Sequence, residues 1–199
     1  MLHLHQIKSQ ASPYWDSLVR VYLQSFPIDE QRPIESIVHL IEHEERYVAY
    51  AVVNDNENDN DAAKLQAKSQ EPIAMSQRPL GLLTTWSFEE FIYIEHFAIA
   101  PTLRSQGYGT EALRTFIKEQ RKPIILEAEP PTDDITRRRI RFYERSGLIL
   151  YDFPYIQPAY TPKSNPVELR LMGTLNTSTT SLSLVSTTLH EVVYESSIK

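Results

Sequence analysis

The chain has 199 residues, 41% of them hydrophobic, a formal net charge of -6 and no cysteine. This length suits one domain with a sizeable core. The lack of cysteine excludes disulfides, thiolate zinc sites and a cysteine nucleophile within this sequence. The acidic balance argues against non-specific binding of nucleic acid, although it would suit a cationic acceptor such as an amine.

Hydropathy along the chain gives no sign of a membrane protein. No stretch reaches the roughly 20 apolar residues that span a bilayer. Residues 1–5 lack the basic and apolar regions of a signal peptide. We therefore expect a cytoplasmic protein without membrane contact.

The first quarter of the chain predicts a strand, two helices and a second strand. Leu2–Ile7 and residues 46–53 have the composition of strands, and apolar residues at helical spacing predict helices over 15–26 and 34–41. The pair His39 and His43 has metal-ligand spacing, but the neighbouring residues do not complete a zinc motif.

Residues 54–78 interrupt this pattern with a run of Asn, Asp and Glu and almost no large apolar residue before Ile73. We interpret them as a mobile loop inserted between two strands. The alternating acidic residues lack the glycine and terminal glutamate of a calcium loop, so no metal site is expected.

The remaining elements alternate between strands and helices. They are predicted strands at 79–88 and 91–99, a helix at 108–120, a strand at 123–129, a helix ending at Gly147, and strands at 148–153 and 166–172. The strand at 123–129 should run parallel to its predecessor, because a helix separates the two. Residues 174–199 are rich in Ser and Thr and have a short apolar segment at 189–194, which indicates either a disordered tail or an added strand.

A six-residue motif joins the predicted strand at 91–99 to the helix at 108–120. It reads Arg104-Ser105-Gln106-Gly107-Tyr108-Gly109. The two glycines allow a close backbone approach and unusual dihedral angles. The amides and the dipole of the following helix favour an anion. The motif therefore predicts a phosphate cradle, although a strand-to-helix turn can need two glycines for its own sake.

These residues resemble the Arg/Gln-x-x-Gly-x-Gly/Ala pyrophosphate loop of the GCN5-related N-acetyltransferases. Residues 95–101 resemble that family's fourth strand, and residues 136–148 resemble its second conserved block. Order, spacing and element type agree over residues 80–150, and the resemblance extends to about Met172.

The resemblance implies the acyl-CoA N-acyltransferase fold, an α/β fold with a mixed, twisted sheet of six or seven strands and helices on both faces. It implies an acetyltransferase domain over residues 1–173, with 54–78 as a mobile insertion and 174–199 as a tail. We expect truncation after Gly173 to leave cofactor binding intact.

The resemblance also implies that acetyl-CoA binds where the fourth and fifth strands part, with its pyrophosphate on residues 106–110. The implied cofactor-binding residues are Phe97, Ala98, Ile99, Arg104, Gln106, Gly107, Tyr108, Gly109, Thr110 and Thr136. Thr136 stands where the family often has an asparagine, and its hydroxyl could cap the helix or replace part of the cofactor contact.

By the same resemblance, Tyr143 is the tyrosine near the thioester sulfur, where a phenol with a reference pKa of about 10 can donate to a departing thiolate. Glu95 lies where several family members place a base. Glu127 and Glu129 share one face of the next strand, whose interior normally disfavours glutamate. Glu95, Glu127, Glu129 and a water wire all remain candidates for the base.

The reaction implied is direct acetyl transfer to a primary amine of a small molecule or peptide. Without cysteine, a cysteinyl-acetyl intermediate is excluded. The loops at 26–33 and 151–166 are expected to form the acceptor site, and a homodimer is left open. The alternative is a non-catalytic acyl-CoA-binding module that senses or scaffolds.

Overall fold

The structure is a computed structural model that describes residues 2–54, 79–177 and 180–194. The expected loop insertion at 54–78 thus lies outside the described residues, except for Asn54, which ends a strand. No helix in the described part of the chain is long and apolar enough to cross a membrane.

The described residues form eight strands and five α-helices. The strands are β1 (Leu2–Ile7), β2 (Tyr47–Asn54), β3 (Gly81–Ser87), β4 (Ile92–Ile99), β5 (Ile124–Ala128), β6 (Ile149–Leu150), β7 (Tyr155–Gln157) and β8 (Val167–Gly173). The helices are α1 (Trp15–Ser25), α2 (Ile34–His43), α3 (Tyr108–Glu119), α4 (Asp134–Arg145) and α5 (Leu182–Thr188), which continues as a π-helical turn over Leu189–Tyr194.

The strands form one mixed sheet in the order β1-β2-β3-β4-β5-β8-β6, with β7 also paired to β8. The pair β4 and β5 is parallel, and the other described pairs are antiparallel. The predicted mixed sheet is confirmed, but it has eight strands instead of six or seven. The strand predicted at 148–153 is only two residues long, and β7 follows it after Pro154, whose nitrogen cannot donate to a ladder.

The core lies on both faces of the sheet, as predicted. On one face, α1, α2 and the C-terminal helix pack against alternate strand residues such as Tyr93. On the other face, α3 and α4 cover the intervening residues, among them Ile92 and Ile94. This two-residue alternation along β4 shows a central strand that is buried on both sides.

The C-terminal segment, residues 182–194, is a helix and not the disordered tail or added strand considered from the sequence. Val185, Leu189 and Val193 lie four residues apart and are fully buried in the core formed by α1 and α2. This spacing places the three side chains on one helical face. In the sequence, this apolar helical spacing is hard to detect because the segment is rich in Ser and Thr.

Candidate active site

The central feature of the site is the parting of β4 from β5. The two strands pair at Ile92–Ile124, Tyr93–Ile125 and Ile94–Leu126 and no further. Beyond that point β4 stays on β3 as far as Ile99, whereas β5 stays on β8. The strand ends therefore diverge, and the edge of β4 at residues 97–99 faces an opening instead of a partner strand.

This opening is a cleft of about 870 Å³. Its walls are the divergent ends of β4 and β5, the start of α3, the inner face of α4 and parts of the loops at 26–33 and 151–166. The predicted site residues that line it are Glu95, Phe97, Ala98, Ile99, Arg104, Gly107, Tyr108, Gly109, Thr110, Glu127, Glu129 and Tyr143. Gln106 and Thr136 are not among the lining residues.

The start of α3 has the geometry of an anion cradle. Gly107 precedes the helix in the left-handed conformation, with φ of 89°. Residues other than glycine rarely adopt this backbone conformation. The amide of Glu111 donates to the Gly107 carbonyl in the first turn, so the amides of residues 108–110 precede the intrahelical ladder. Residues 108–110 line the cleft, and the dipole at this helix start favours negative charge.

Gly109 differs from the expectation of unusual dihedral angles at both glycines. It belongs to α3 and has no positive φ. A Cβ atom there would lie 3.4 Å from Ile99 Cγ1 and 3.5 Å from the Phe142 ring. Gly109 therefore serves close packing of the helix against β4, while Ser105 and Gly107 have the positive φ angles of the turn.

Arg104 uses its guanidinium on the protein itself. Its Nε donates to the Ile99 carbonyl over 3.1 Å, and its Nη2 donates to Ser25 Oγ over 3.2 Å. The arginine thus ties the end of β4 to the end of α1. It fixes the shape of the cleft mouth in addition to bordering it.

Thr136 is a capping residue in this structure. The Asp133 amide donates to its hydroxyl, and the Asp133 carboxylate accepts from the amides of Ile135 and Thr136. These reciprocal bonds form a capping box at the start of α4. Of the two roles considered from the sequence, the structure supports the cap.

Tyr143 lies on α4, largely buried, with its ring at the cleft. Burial raises the pKa of its phenol, and the nearby positive charge of Arg139 opposes this only in part. The phenol is therefore neutral near pH 7 and able to donate a proton or a hydrogen bond.

Glu95 is the extra residue of a β-bulge, because Thr84 pairs with His96 and Thr85 with Ile94. Its buried carboxylate accepts from the Arg32 guanidinium at 2.8 Å, from Trp86 Nε1 at 2.8 Å and from the Tyr160 hydroxyl at 2.9 Å. Burial alone would raise the pKa of Glu95, but Arg32, His96 and the Trp86 bond together hold it below its usual value. A carboxylate so well paired is poorly placed to accept a proton.

Glu127 lies on the other side of the cleft, near the end of β5. The Tyr194 hydroxyl donates to its Oε2 over 2.7 Å, while its Oε1 is buried and has no hydrogen-bond partner among the described residues. Burial raises the pKa of Glu127 to about 7, although the nearby hydroxyl groups of Tyr155, Tyr194 and Tyr93 oppose this rise. Glu129, the other candidate on β5, instead pairs with Arg139.

Two residues that contact the candidate site residues could not be identified from the sequence. Arg32 is a single arginine in a loop, and nothing in the sequence marks it as the partner of Glu95. Tyr194 belongs to the segment interpreted as a tail. The helical stripe at residues 185, 189 and 193 is the signal that would have placed it in the core.

Comparison with known proteins agrees with this geometry. The model of the acetyltransferase (GNAT) family matches residues 4–148, and the chain belongs to this family. The resemblance identified in the sequence is thereby confirmed.

Individual relatives resemble the chain to different extents. A solved structure named as a GNAT-family acetyltransferase of Bacteroides thetaiotaomicron is 27% identical, covers 96% of this chain and 98% of its own, and has a TM-score of 0.81. Arabidopsis thaliana NAA60 in complex with acetyl-CoA is 14% identical, covers 87% of this chain and 97% of its own, and has a TM-score of 0.58, which shows a shared fold.

A curated Bacillus subtilis (strain 168) protein, "Putative acetyltransferase YjbC", is 37% identical over 60 residues. This match covers 29% of the present chain and 31% of that relative, so it spans less than a third of either protein.

Proposed function

We propose that this protein transfers an acetyl group from acetyl-CoA to a primary amine by direct attack in a ternary complex. The observation that carries the proposal is the cleft between β4 and β5. One opening there combines an anion cradle at Gly107, a neutral phenol at Tyr143 and a raised-pKa carboxylate at Glu127.

The residues present fit acetyl-CoA. The amides of residues 108–110 would hold its pyrophosphate, and the free edge of β4 at residues 97–99 would pair with its pantetheine arm. When bound, acetyl-CoA supplies an acetyl group activated as a thioester. A peptide amide of the same β4 edge is available to stabilise negative charge on the acetyl oxygen.

Glu127 is the proposed base. An alkylamine has a pKa of about 10.4 and must lose a proton before it attacks. With a pKa of about 7 in place of 4.5, Glu127 is a much stronger proton acceptor than an ordinary glutamate. Its Oε1 atom is buried and has no hydrogen-bond partner in the described part of the chain, so the carboxylate has capacity to take up one more proton.

Tyr143 is the proposed acid. It stands on the α4 wall of the cleft as a neutral phenol. Donation from its hydroxyl to the departing sulfur would stabilise the thiolate as it forms. The acid and the base then occupy different walls, so each can act on its own end of the reaction.

Thiol release from acetyl-CoA, followed with spermidine, lysine, kanamycin and a peptide with a free N-terminus, tests the proposal. We expect release that depends on one of these amines and falls by at least about 100-fold in Glu127→Gln. Tight acetyl-CoA binding without release for any amine would instead support the sensor or scaffold alternative.

A further inference from the structure

We propose that Tyr194 is a positioning residue for Glu127, so that the C-terminal segment, residues 182–194, completes the active site. This inference rests on the base role proposed for Glu127. It assigns a function to a segment that lies beyond residues 4–148, the part of the chain that matches the family model.

The contacts form a short chain of hydrogen bonds that ends at the carboxylate. The Tyr194 hydroxyl donates its single proton to Glu127 Oε2 over 2.7 Å. The Tyr93 hydroxyl lies 3.1 Å from the Tyr194 hydroxyl and must therefore be the donor in that pair. Both tyrosines are buried, so water does not compete with these bonds.

The backbone next to Tyr194 is anchored on the other side of the site. Arg32 Nη2 donates to the Val193 carbonyl over 2.7 Å, and the same guanidinium pairs with Glu95. Leu189 and Val193 are fully buried in the core. The π-helical turn Leu189–Tyr194 is thus held by packing and by a hydrogen bond from the ion-paired Arg32, which fixes the position of the Tyr194 hydroxyl.

This arrangement has two consequences for Glu127. With Oε2 bound by Tyr194, the carboxylate is held in one orientation, in which the buried Oε1 has no hydrogen-bond partner among the described residues. The donated hydrogen bond also favours the ionised form. Without it, burial would raise the pKa further, and Glu127 would be mostly protonated at neutral pH.

A direct test is the titration of Glu127 in the full-length protein without substrate, followed by NMR of 13C-labelled glutamate carboxyl groups and assigned with Glu127→Gln. In Tyr194→Phe we expect the pKa of Glu127 to rise by about one unit, since a hydrogen bond to a charged group is lost. The matched control is Tyr151→Phe, which removes a tyrosine hydroxyl that donates to the Leu175 carbonyl over 3.0 Å outside the cleft. It should leave the titration unchanged.

The same variants test catalysis with the most active amine of the panel. In the pH profile of the single-turnover rate, the apparent pKa below which the rate falls should rise in Tyr194→Phe together with the pKa of Glu127. It should be unchanged in Tyr151→Phe. Should Tyr194→Phe fail to fold, Tyr93→Phe replaces it, with a smaller upward shift expected.

The outcomes distinguish the positioning role of Tyr194 from the base role of Glu127. If the pKa of Glu127 is unchanged in folded Tyr194→Phe, the positioning role is overturned and the base assignment stays intact. The same holds for Tyr93→Phe if that variant is used. Wild-type transfer by Glu127→Gln overturns the base assignment itself.

Discussion

Arg32 and Glu95 form an ion pair 2.8 Å long in which both side chains are fully buried. The pair joins the loop before α2 to the bulge in β4, and the same arginine holds the Val193 carbonyl of the C-terminal segment. Three distant parts of the chain therefore meet at one guanidinium beside the cleft. This pairing favours a structural role for Glu95 and is one reason why we propose Glu127 as the base.

The first prediction concerns stability. Glu95→Gln leaves the Arg32 charge buried without a counter-ion and should lower the free energy of unfolding by about 3–5 kcal/mol. Glu44→Gln is the control, because Glu44 pairs with Arg46 at the partly exposed surface and should contribute about 1 kcal/mol or less. Urea denaturation of both variants measures the difference. A Glu95→Gln variant that is as stable as the control but inactive would restore Glu95 as the candidate base.

For Glu127 we expect the opposite of Glu95, because ionisation of its carboxyl group should destabilise the folded state. Its pKa is raised from 4.5 to about 7 in the folded state, so the folded protein binds this proton more tightly than the unfolded chain. The resulting stabilisation is present below pH 4.5 and is lost as the pH rises through about 7.

Glu127→Gln should therefore match the wild type near pH 5 within about 1 kcal/mol and be more stable by about 1–3 kcal/mol at pH 8. Urea denaturation at the two pH values checks this. Lower stability of the variant at pH 8 would show that the folded state stabilises the ionised carboxylate, whereas burial is expected to destabilise it.

The cradle should depend on the left-handed turn at Gly107. A Cβ atom at Gly107 would meet no atom of the described residues within 4 Å, but a side chain is strained at φ of 89°. Relief of that strain would displace the amides of residues 108–110, and we expect roughly tenfold weaker acetyl-CoA binding by calorimetry.

Gly147→Ala is a matched control for this change. Gly147 has φ of 100° and equally open surroundings, but it lies outside the cleft lining. The control should show similar backbone strain and unchanged affinity. If Gly107→Ala and Gly147→Ala bind acetyl-CoA with equal affinity, the turn at Gly107 does not contribute to the binding site.

The C-terminal helix should be required for stability. Leu189 is fully buried, and Leu189→Ala should cost about 2–5 kcal/mol, whereas the same change at the half-exposed Leu184 should cost no more than about 0.5 kcal/mol. Thermal denaturation compares the two. Truncation after Gly173, expected from composition to be harmless, should for the same reason abolish cooperative folding. Unchanged melting of Leu189→Ala would show that the helix is dispensable.

The fold could be predicted from the sequence because its signals are local. The apolar spacing of α1 and α2, the motif at residues 104–109 and the Phe142-Tyr143 block each lie within one element. The bulge at Glu95 could not be predicted, because it depends on the register between β3 and β4. The contacts of Glu95 with Arg32 and of Glu127 with Tyr194 join residues more than 60 positions apart, and no spacing rule reaches that far.

Other expectations remain predictions. The cytoplasmic location and the homodimer are of this kind, whereas the core packing of residues 182–194 argues against ending the domain at Gly173. The catalytic roles of Tyr143, Glu95 and Glu127 also remain predictions.

The most direct test of the account is a single-turnover measurement of the acetylated amine and the released thiol, with wild type and Tyr143→Phe. For the wild type we predict equal amounts of the two products, no acetylated protein before the amine is added and no thiol without it. For folded Tyr143→Phe we predict a rate lower by roughly 10- to 1000-fold with nearly unchanged affinity for acetyl-CoA. Thiol release without acetylated amine, or a Tyr143→Phe variant that transfers acetyl at the wild-type rate, would contradict the account.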